Sequence, residues 1–331
     1  MRIVGTIDHA LYGYMVQPIP DGALAMRAIL HGSLPSPRMA PSRSTSTALG
    51  IATVVITLLG WSSVPLFLRY FADHIDFWTS NGWRYGFSAL VWLPVLIAVS
   101  MKSSLPKGLW KAALVPSILN AVGQILFTWA HYRIDPGLLT FGLRSQLIFV
   151  AIGAWLLFPA ERAIIRTPGY LLGAVLLIGG TVGVLLLDQD DAARAVTAAT
   201  GLERGTKASH IEGVALAIGS GLLFACYGLS VRKFMHGINS VVAFGSICQY
   251  TAIIMVALML MFGESSGATA LNLSWEQMKW LCISALIGIA FGHMFYYMSI
   301  ARLGVAVTAG VLQLQPFFVL LGSMSLFDER L

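Results

Sequence analysis

The chain has 331 residues, of which 57% are hydrophobic and 11% are charged, and its formal net charge is +6. This apolar content exceeds what one soluble core can bury, so the composition excludes a soluble domain and predicts a protein surrounded by lipid. The basic residues are spread over separate loops, which is not the clustered footprint of a nucleic-acid-binding protein.

The first 47 residues contain scattered charges and prolines but no long apolar run. Two explanations stay open for this segment. It is either a disordered cytoplasmic tail, or its first 38 residues precede a true start at Met39. No cleavable signal peptide is recognisable in it.

Nine apolar stretches follow, and each is about as long as a bilayer is thick, because a transmembrane helix needs roughly 20 mostly apolar residues. The short alternating segments of a membrane barrel are absent from the sequence, so we predict an all-α polytopic helical bundle. The predicted spans are Ala48–Tyr70, Phe77–Val99, Leu109–Tyr132, Pro136–Phe158, Pro168–Leu187, Gly213–Phe234, Ser240–Phe262, Met278–Ile300 and Gly304–Phe327.

Two parts of the chain align without a gap, Ile118–Arg162 with Leu286–Arg330, so that one Glu-Arg pair falls on another after the fourth helix of each half. The earlier helices align at a slightly smaller offset, which sets Arg69 on Arg232. The sequence therefore predicts a duplicated unit of five helices.

We divide the chain into a first repeat at residues 48–187, an extramembrane linker at 188–212 and a second repeat at 213–331. Because five is an odd number, the second repeat must enter the membrane in the opposite direction, and such an inverted repeat places a binding site between its halves. A tenth helix equivalent to Pro168–Leu187 is expected, but the sequence ends at Leu331. We interpret the second repeat as truncated, with nine of ten helices present.

The distribution of Lys and Arg over the short loops predicts a cytoplasmic amino terminus, since basic residues resist translocation. The expected location is therefore multi-pass in a bacterial-type inner membrane.

Two arginines lie within predicted spans, Arg84 in the second and Arg144 in the fourth, at a cost of roughly 2.5–3.5 kcal/mol each on insertion scales. One explanation is a cationic pocket for a carboxylate or phosphate, because guanidinium groups bind planar oxyanions. The other is that each arginine caps freed backbone carbonyls or extends towards the headgroups.

Further polar side chains within spans line a cavity or bond to neighbouring helices, and both interpretations stay open. His293 either titrates near neutral pH and couples the protein to protons, or is a satisfied core histidine. Trp83, Trp129 and Tyr297 are candidate aromatic walls on which a solute could stack. The members of the polar group are Asn120, Gln124, Gln249, His293, Gln313 and Gln315.

Pro65 and Pro316 fall within predicted spans and free the carbonyls of Trp61 and Leu312. They are either hinges for gating or kinks that pack without motion, and both interpretations stay open. Small-residue pairs, Gly179 with Gly183 and Gly288 with Gly292, predict close helix contacts.

The sequence predicts no cofactor and no metal, because its three cysteines have no metal-like spacing. No Asp or Glu lies deep in a span, and no paired carboxylates, zinc motif or Ser-His pair is found there. We therefore predict no catalytic residues and expect that the protein is not an enzyme.

With these features the chain resembles the drug/metabolite transporter superfamily, and within it the EamA-type carriers. The resemblance rests on the duplicated unit, on Trp61, Pro65 and Arg69 followed by Arg84, and on the repeated Glu-Arg. It implies a ten-helix inverted repeat with a central cavity that exports or exchanges small metabolites such as amino acids. An ion gradient or a counter-substrate, rather than ATP, would drive it. Members commonly carry a proline before each Glu, whereas the first half here has Ile148 at that position.

We therefore predict a secondary transporter of small carboxylate-bearing metabolites that works by alternating access. The rival hypotheses are a nonfunctional transporter remnant and an intramembrane enzyme. Expected partners are the solute, the bilayer and a proton or counter-substrate, without nucleic acid, as a monomer or a homodimer. The predicted binding residues are Arg84, Arg144, Asn120, Gln124, Gln249, His293, Tyr297 and Gln313, with Pro65 and Pro316 as hinges.

Overall fold

The computed structural model describes residues 43–102, 105–134, 136–187 and 207–327. These residues form helices joined by short turns, and none of them belongs to a strand. The all-helical class predicted from the apolar pattern is therefore confirmed for this part of the chain. Residues 1–42, most of the linker and the second Glu-Arg pair lie outside the described residues.

The helices of the first half follow the predicted spans, except that the fourth span is divided in two. In chain order they are α1 (Arg43–Ala72), α2 (Phe77–Lys102), α3 (Leu109–His131), α4 (Pro136–Leu143), α5 (Gln146–Leu157), α6 (Arg162–Ile165) and α7 (Pro168–Leu187).

In the second half a π-helical turn divides the third span, Trp275–Leu303, and the described residues end within the fourth. The second half consists of α8 (Lys207–Phe234), α9 (Ser240–Phe262), a 3-10 segment (Glu264–Asn272), α10 (Trp275–Ala285), a π-helical turn (Leu286–Phe291), α11 (Gly292–Leu303), α12 (Val305–Leu312) and α13 (Gln315–Phe327).

Seven helical segments of the described chain are long and apolar enough to cross a membrane, or up to eight if a bent pair counts as one. That pair, Pro159–Ile165 with Pro168–Gly180, turns by 71°. Several predicted boundaries shift, and the largest shifts are at two starts: α1 starts at Arg43 instead of Ala48, and α8 starts at Lys207 instead of Gly213. The helices therefore extend beyond the apolar stretches, which alone set the predicted limits.

The fourth helix of each half is broken at nearly equivalent positions. The predicted span Pro136–Phe158 breaks at Arg144 and Ser145, and the second half breaks at Gln313 and Leu314. Both breaks are single tight turns, in which Ser145 N–H bonds the carbonyl of Gly142 and Gln313 N–H that of Gly310. Such 3-10 hydrogen bonds, which join residues three apart, tighten the helix locally, and within a helix they often mark a functional hinge.

Glycines let helices of the two halves approach closely. Gly123 in α3 packs against Phe224 in α8, and Gly213 at the start of α8 packs against Ile134 just after α3. α9 packs along α2 and α3, while α12 packs on α5 and α13 on α4. Each half therefore completes the packing of the other.

Asp76 fixes one end of the bundle. Its Oδ1 accepts hydrogen bonds from the backbone N–H groups of Trp78 (2.9 Å) and Thr79 (3.0 Å) and so caps α2. Its Oδ2 accepts from the backbone N–H of Glu264 (3.0 Å) in the 3-10 segment. One carboxylate thus joins the start of α2 to the loop after α9.

Glu161 joins the halves at another point, although it lies at the end of a predicted span. Its carboxylate is 3% exposed and accepts hydrogen bonds from the N–H groups of Val305 (3.1 Å) and Ala306 (2.8 Å). It also lies 3.5 Å from Nε of Arg232. A negative charge at a helix amino terminus is favourable, so Glu161 caps α12 across the bundle.

Candidate functional site

A partly open cavity lies between the two halves of the bundle. Helices α1 to α5 supply its walls from the first half, and α8, the π turn and α11 to α13 supply them from the second. Among the residues that line it, the polar or charged ones are Arg84, Gln124, Arg144, Gln146, His293 and Gln315, and the aromatic ones are Trp61, Phe127, Phe224, Tyr227 and Tyr296.

Trp61 organises the aromatic wall. Its ring centroid lies 5.0 Å from that of His293 and 4.9 Å from that of Tyr296. Its Nε1 donates to the carbonyl of Gly288 (2.9 Å) in the π turn. Aromatic rings of both halves are therefore held at edge and tilted angles along one side of the cavity.

Arg84 enters the cavity from α2 and is 2% exposed. Its Nε donates to Oγ of Ser284 (3.0 Å) on α10. No other described residue accepts a hydrogen bond from this guanidinium, so both Nη groups keep their donors free on the cavity side. The side chain is held at one edge and unbonded at the other.

Arg144 is 3% exposed and stands at the break between α4 and α5, where it uses all three of its nitrogens. Nε donates to the carbonyl of Thr140 (2.8 Å), and Nη1 donates to the carbonyl of Leu312 (2.5 Å). Nη2 donates to Oε1 of Gln315 (2.9 Å). Arg144 therefore bonds to both broken helices.

Gln315 extends this network into α1. Its Nε2 donates to the carbonyl of Trp61 (2.8 Å), which is the carbonyl that Pro65 leaves without an N–H partner. The carbonyl of Leu312 has the same status, because Pro316 lacks the N–H that would bond it. Arg144 and Gln315 together thus satisfy the carbonyls freed by both predicted hinges.

Two side-chain amides complete the polar lining without protein partners. Gln124 in α3 and Gln146 at the start of α5 both line the cavity, and no described residue hydrogen-bonds either amide. An amide offers both donors and acceptors, so these two groups can orient a polar solute.

The cavity carries positive charge that no nearby carboxylate compensates. None of the described residues that line it is acidic, and no described acid pairs with Arg84 or Arg144. A guanidinium in a poorly hydrated site attracts an anion strongly, because little water competes for its donors. The arrangement is suited to bind an oxyanion.

Of the eight predicted binding residues, Arg84, Arg144, Gln124 and His293 line this cavity. Asn120 lies elsewhere in the core, where its Nδ2 donates to the hydroxyls of Tyr85 (3.2 Å) and Thr251 (3.4 Å). The structure therefore brings half of the predicted set together.

The remaining three do not line the cavity and bond to protein groups. Nε2 of Gln249 donates to the carbonyl of Ala89 (3.0 Å), and Nε2 of Gln313 donates within its own helix to Ala309 (2.8 Å). The hydroxyl of Tyr297 lies 2.6 Å from that of Tyr227.

The proposed stacking walls lie outside the cavity too. Trp83 donates from Nε1 to the carbonyl of Gly267 (2.9 Å), and Trp129 stacks on Phe77 at 5.6 Å. The rings that do line the cavity, such as Phe224 and Tyr227, gave no separate signal, since aromatic residues are common throughout apolar helices.

Within the described part of the chain, no group of three His, Cys, Asp or Glu side chains could hold a metal ion.

A model of the EamA-like transporter family matches residues 48–186 and 211–331 of this chain, one segment for each half. Among solved structures, a crystal structure without a functional description is similar to this chain with a TM-score of 0.60 and 16% identity. The similarity covers 88% of this chain and 91% of the other, and it shows a shared fold alone. No curated protein matches the chain.

Proposed function

Because the chain belongs to the EamA-like transporter family, we propose that it carries small carboxylate-bearing metabolites across a membrane by alternating access through the central cavity. The family itself makes the chain an integral, multi-pass membrane transporter of small solutes. The class of solute and the mechanism are the proposal.

The uncompensated charge of the cavity carries this proposal. Arg84 and Arg144 are both buried in a space that is lined by both halves and holds no acidic side chain among the described residues. Each buried charge costs free energy in a membrane, and such charged residues usually have a function. A solute carboxylate would supply the opposite charge, and the amide of Gln124 and the ring of His293 would meet the rest of the solute.

The other predicted binding residues have a supporting role in this proposal. Asn120, Gln249, Tyr297 and Gln313 hold the helices around the cavity through bonds to protein groups. Pro65 lies within α1 and Pro316 at the start of α13, and both are the proposed hinges of the movement that would open the cavity to one side.

The packing of the helices supports an inverted repeat. The start of α8 at Gly213 lies against the end of α3 at Ile134, and Phe224 further along α8 lies against Gly123 further back in α3. Helices α8 and α3 therefore run antiparallel. Since α1 and α3 are separated by one crossing, they share a direction, and α8 as the first helix of the second half runs opposite to α1.

The broken helices support the same arrangement. The first part of one packs on the second part of the other, α4 on α13 and α5 on α12. When the first part of each broken helix lies beside the second part of the other, the two helices run in opposite directions. The proposal therefore includes five-helix repeats of opposite orientation, of which nine helices fall within this sequence, and a site between them.

The proposal places the protein in a bacterial-type inner membrane with its amino terminus in the cytoplasm, in keeping with the distribution of basic loop residues. A proton gradient or a counter-substrate would drive transport.

Counterflow in proteoliposomes tests the proposal. Vesicles with the purified full chain are loaded with an unlabelled amino acid or dicarboxylate and receive the same solute with a radiolabel. At least one carboxylate should accumulate, and Arg84→Ala should lower its uptake about tenfold, as loss of a charged hydrogen bond implies. Arg166→Ala is the matched control, because that exposed arginine stacks on Trp155 away from the cavity. Uptake of cations or neutral solutes without any carboxylate would refute the proposal.

A further inference from the structure

We propose that the two buried arginines have different roles: Arg84 alone contacts the carboxylate of the solute, through its two Nη groups, whereas Arg144 is a positioning residue that holds the broken helices through Gln315. This inference rests on the proposed function and assigns the anion contact within it.

The hydrogen bonds of the two guanidinium groups differ. Arg144 donates from Nε, Nη1 and Nη2 to three protein oxygens, so no nitrogen of it is left without a protein acceptor. Arg84 donates to protein through Nε alone, and its partner is Ser284 on α10, which is not among the residues that line the cavity. A guanidinium has five N–H donors, so three of them are used in Arg144 and one in Arg84. Of the two arginines, only Arg84 therefore keeps both of its Nη groups free of protein acceptors among the described residues.

The orientation of Arg84 also selects the geometry of its ligand. With Nε held by Ser284, the end of the fork formed by Nη1 and Nη2 remains available. Two parallel N–H donors match the two oxygens of a carboxylate or two oxygens of a phosphate. Lysine at this position would keep the charge but not the paired geometry.

The network around Arg144 explains why it would not serve as the contact. Recruiting Arg144 to a solute would release the carbonyl of Leu312 and the amide of Gln315, and Gln315 in turn holds the carbonyl of Trp61. Buried carbonyls without partners are unfavourable, so the network opposes that change. Arg144 therefore holds α1, α4 and α13 together through its own bonds and those of Gln315. Any movement of these helices relative to one another must break these bonds.

A matched pair of probes distinguishes these roles by binding, without relying on transport. Benzoate and benzamide have nearly the same shape, and only benzoate carries the charge, while the aromatic wall near Trp61 and Tyr296 suits a ring. Their affinities for the full chain in lipid nanodiscs are measured by isothermal titration calorimetry.

The wild-type protein should bind benzoate more tightly than benzamide. Arg84→Gln should weaken benzoate about tenfold and leave benzamide unchanged, and Arg84→Lys should fall between them. Arg144→Gln and Gln315→Leu should keep the preference for benzoate and instead lower the thermal melting temperature and the rate of counterflow at saturating solute. Gln315→Leu keeps the charge of Arg144 and removes one of its partners, so this variant tests the positioning role if Arg144→Gln does not fold.

The outcomes separate the inference from the function on which it rests. If the wild type favours benzoate, and Arg144→Gln or Gln315→Leu removes that preference as fully as Arg84→Gln, the division of roles is overturned and the carrier of carboxylates stands. If the wild type binds both probes equally, recognition of a carboxylate fails and the proposed function fails with it. If benzoate binding depends on charge alone, Arg84→Lys will match the wild type and the paired contact is refuted.

Discussion

Arg144 donates a hydrogen bond to the backbone carbonyl of Leu312, the residue that aligns with it in the second half of the chain. Pro316 leaves that carbonyl without its helical N–H partner, four residues further on. A charged side chain at the break in one half therefore caps the break in the other. The first half has Ile148 where the second half has Pro316. Its Arg144 instead donates to the carbonyl that Pro316 leaves without an N–H partner.

This relationship predicts coupling between Arg144 and Pro316. Arg144→Met should lower the free energy of unfolding by about 1–3 kcal/mol, because the carbonyl of Leu312 is left unpaired. In a Pro316→Ala background the new N–H can bond that carbonyl, so Arg144→Met should cost less there. A double-mutant cycle, measured by SDS-induced unfolding in mixed micelles, should give a coupling of about 0.5–3 kcal/mol.

The matched control for this cycle is Pro94→Ala, which restores an N–H in α2 at an exposed position away from Arg144. The effects of Pro94→Ala and Arg144→Met on the free energy of unfolding should be additive, with no coupling between them. An Arg144→Met cost that is the same in the Pro316→Ala and wild-type backgrounds would contradict the capping role.

The carboxylate of Glu161 predicts a second stability effect. Glu161→Gln replaces one accepting oxygen by an amide nitrogen, so one of the N–H groups of Val305 and Ala306 loses its acceptor and Arg232 loses its counter-charge. Because hydrogen bonds to a charged group are worth about 1.5–3 kcal/mol, we expect a loss of that order in the free energy of unfolding.

Glu212→Gln is the control for Glu161. Glu212 lies 3.7 Å from Arg133, with both side chains 41% exposed, so its removal should cost about 0–1 kcal/mol. Both variants are unfolded under the same conditions. Equal small losses would show that Glu161 does not stabilise the junction of the halves.

The apolar pattern was enough to predict most of the helices, because a span in lipid must satisfy its backbone internally and is long and continuous in sequence. It did not predict the break at Arg144 and Ser145, which has neither glycine nor proline. That break depends on contacts with α12 and α13, which are distant in sequence. The burial of Glu161 was missed for the same reason, since its partners Val305 and Ala306 belong to the other half.

Polar residues within spans gave a useful but unspecific signal for the cavity. Arg84 and Gln124 line it, whereas Gln249 and Asn120 bond to protein groups elsewhere. The insertion cost of a polar side chain is the same whether a solute or a neighbouring helix satisfies it. Sequence alone therefore identifies polar positions, and only the packing of the helices shows which of them face the cavity.

Some glycines lie in close contact with a neighbouring helix and others face open space, and this difference gives a third prediction. A Cβ added at Gly292 would lie 2.6 Å from Nε1 of Trp61, whereas one added at Gly179 would meet nothing within 4 Å among the described residues. Gly292→Ala should lower the free energy of unfolding by about 1–3 kcal/mol through overpacking.

Gly179→Ala should be neutral or stabilising by about 0.5–1 kcal/mol, because alanine favours a helix over glycine. Thermal unfolding of both variants in detergent measures the difference. A tolerated Gly292→Ala would show that α1 and α11 can separate without cost.

The inverted repeat predicts that equivalent loops of the two halves lie on opposite sides of the membrane. Lys107 lies between α2 and α3, and Ala268 lies between α9 and α10, and both are exposed. In a background without the native cysteines, Ala268→Cys should react with a membrane-impermeant maleimide on intact cells. Lys107→Cys should react only after permeabilisation, as should His236→Cys in the loop after α8. Reaction of Lys107→Cys and Ala268→Cys from the same side would refute the inverted repeat, whereas a clean exchange of sides would refute only the cytoplasmic placement of the amino terminus.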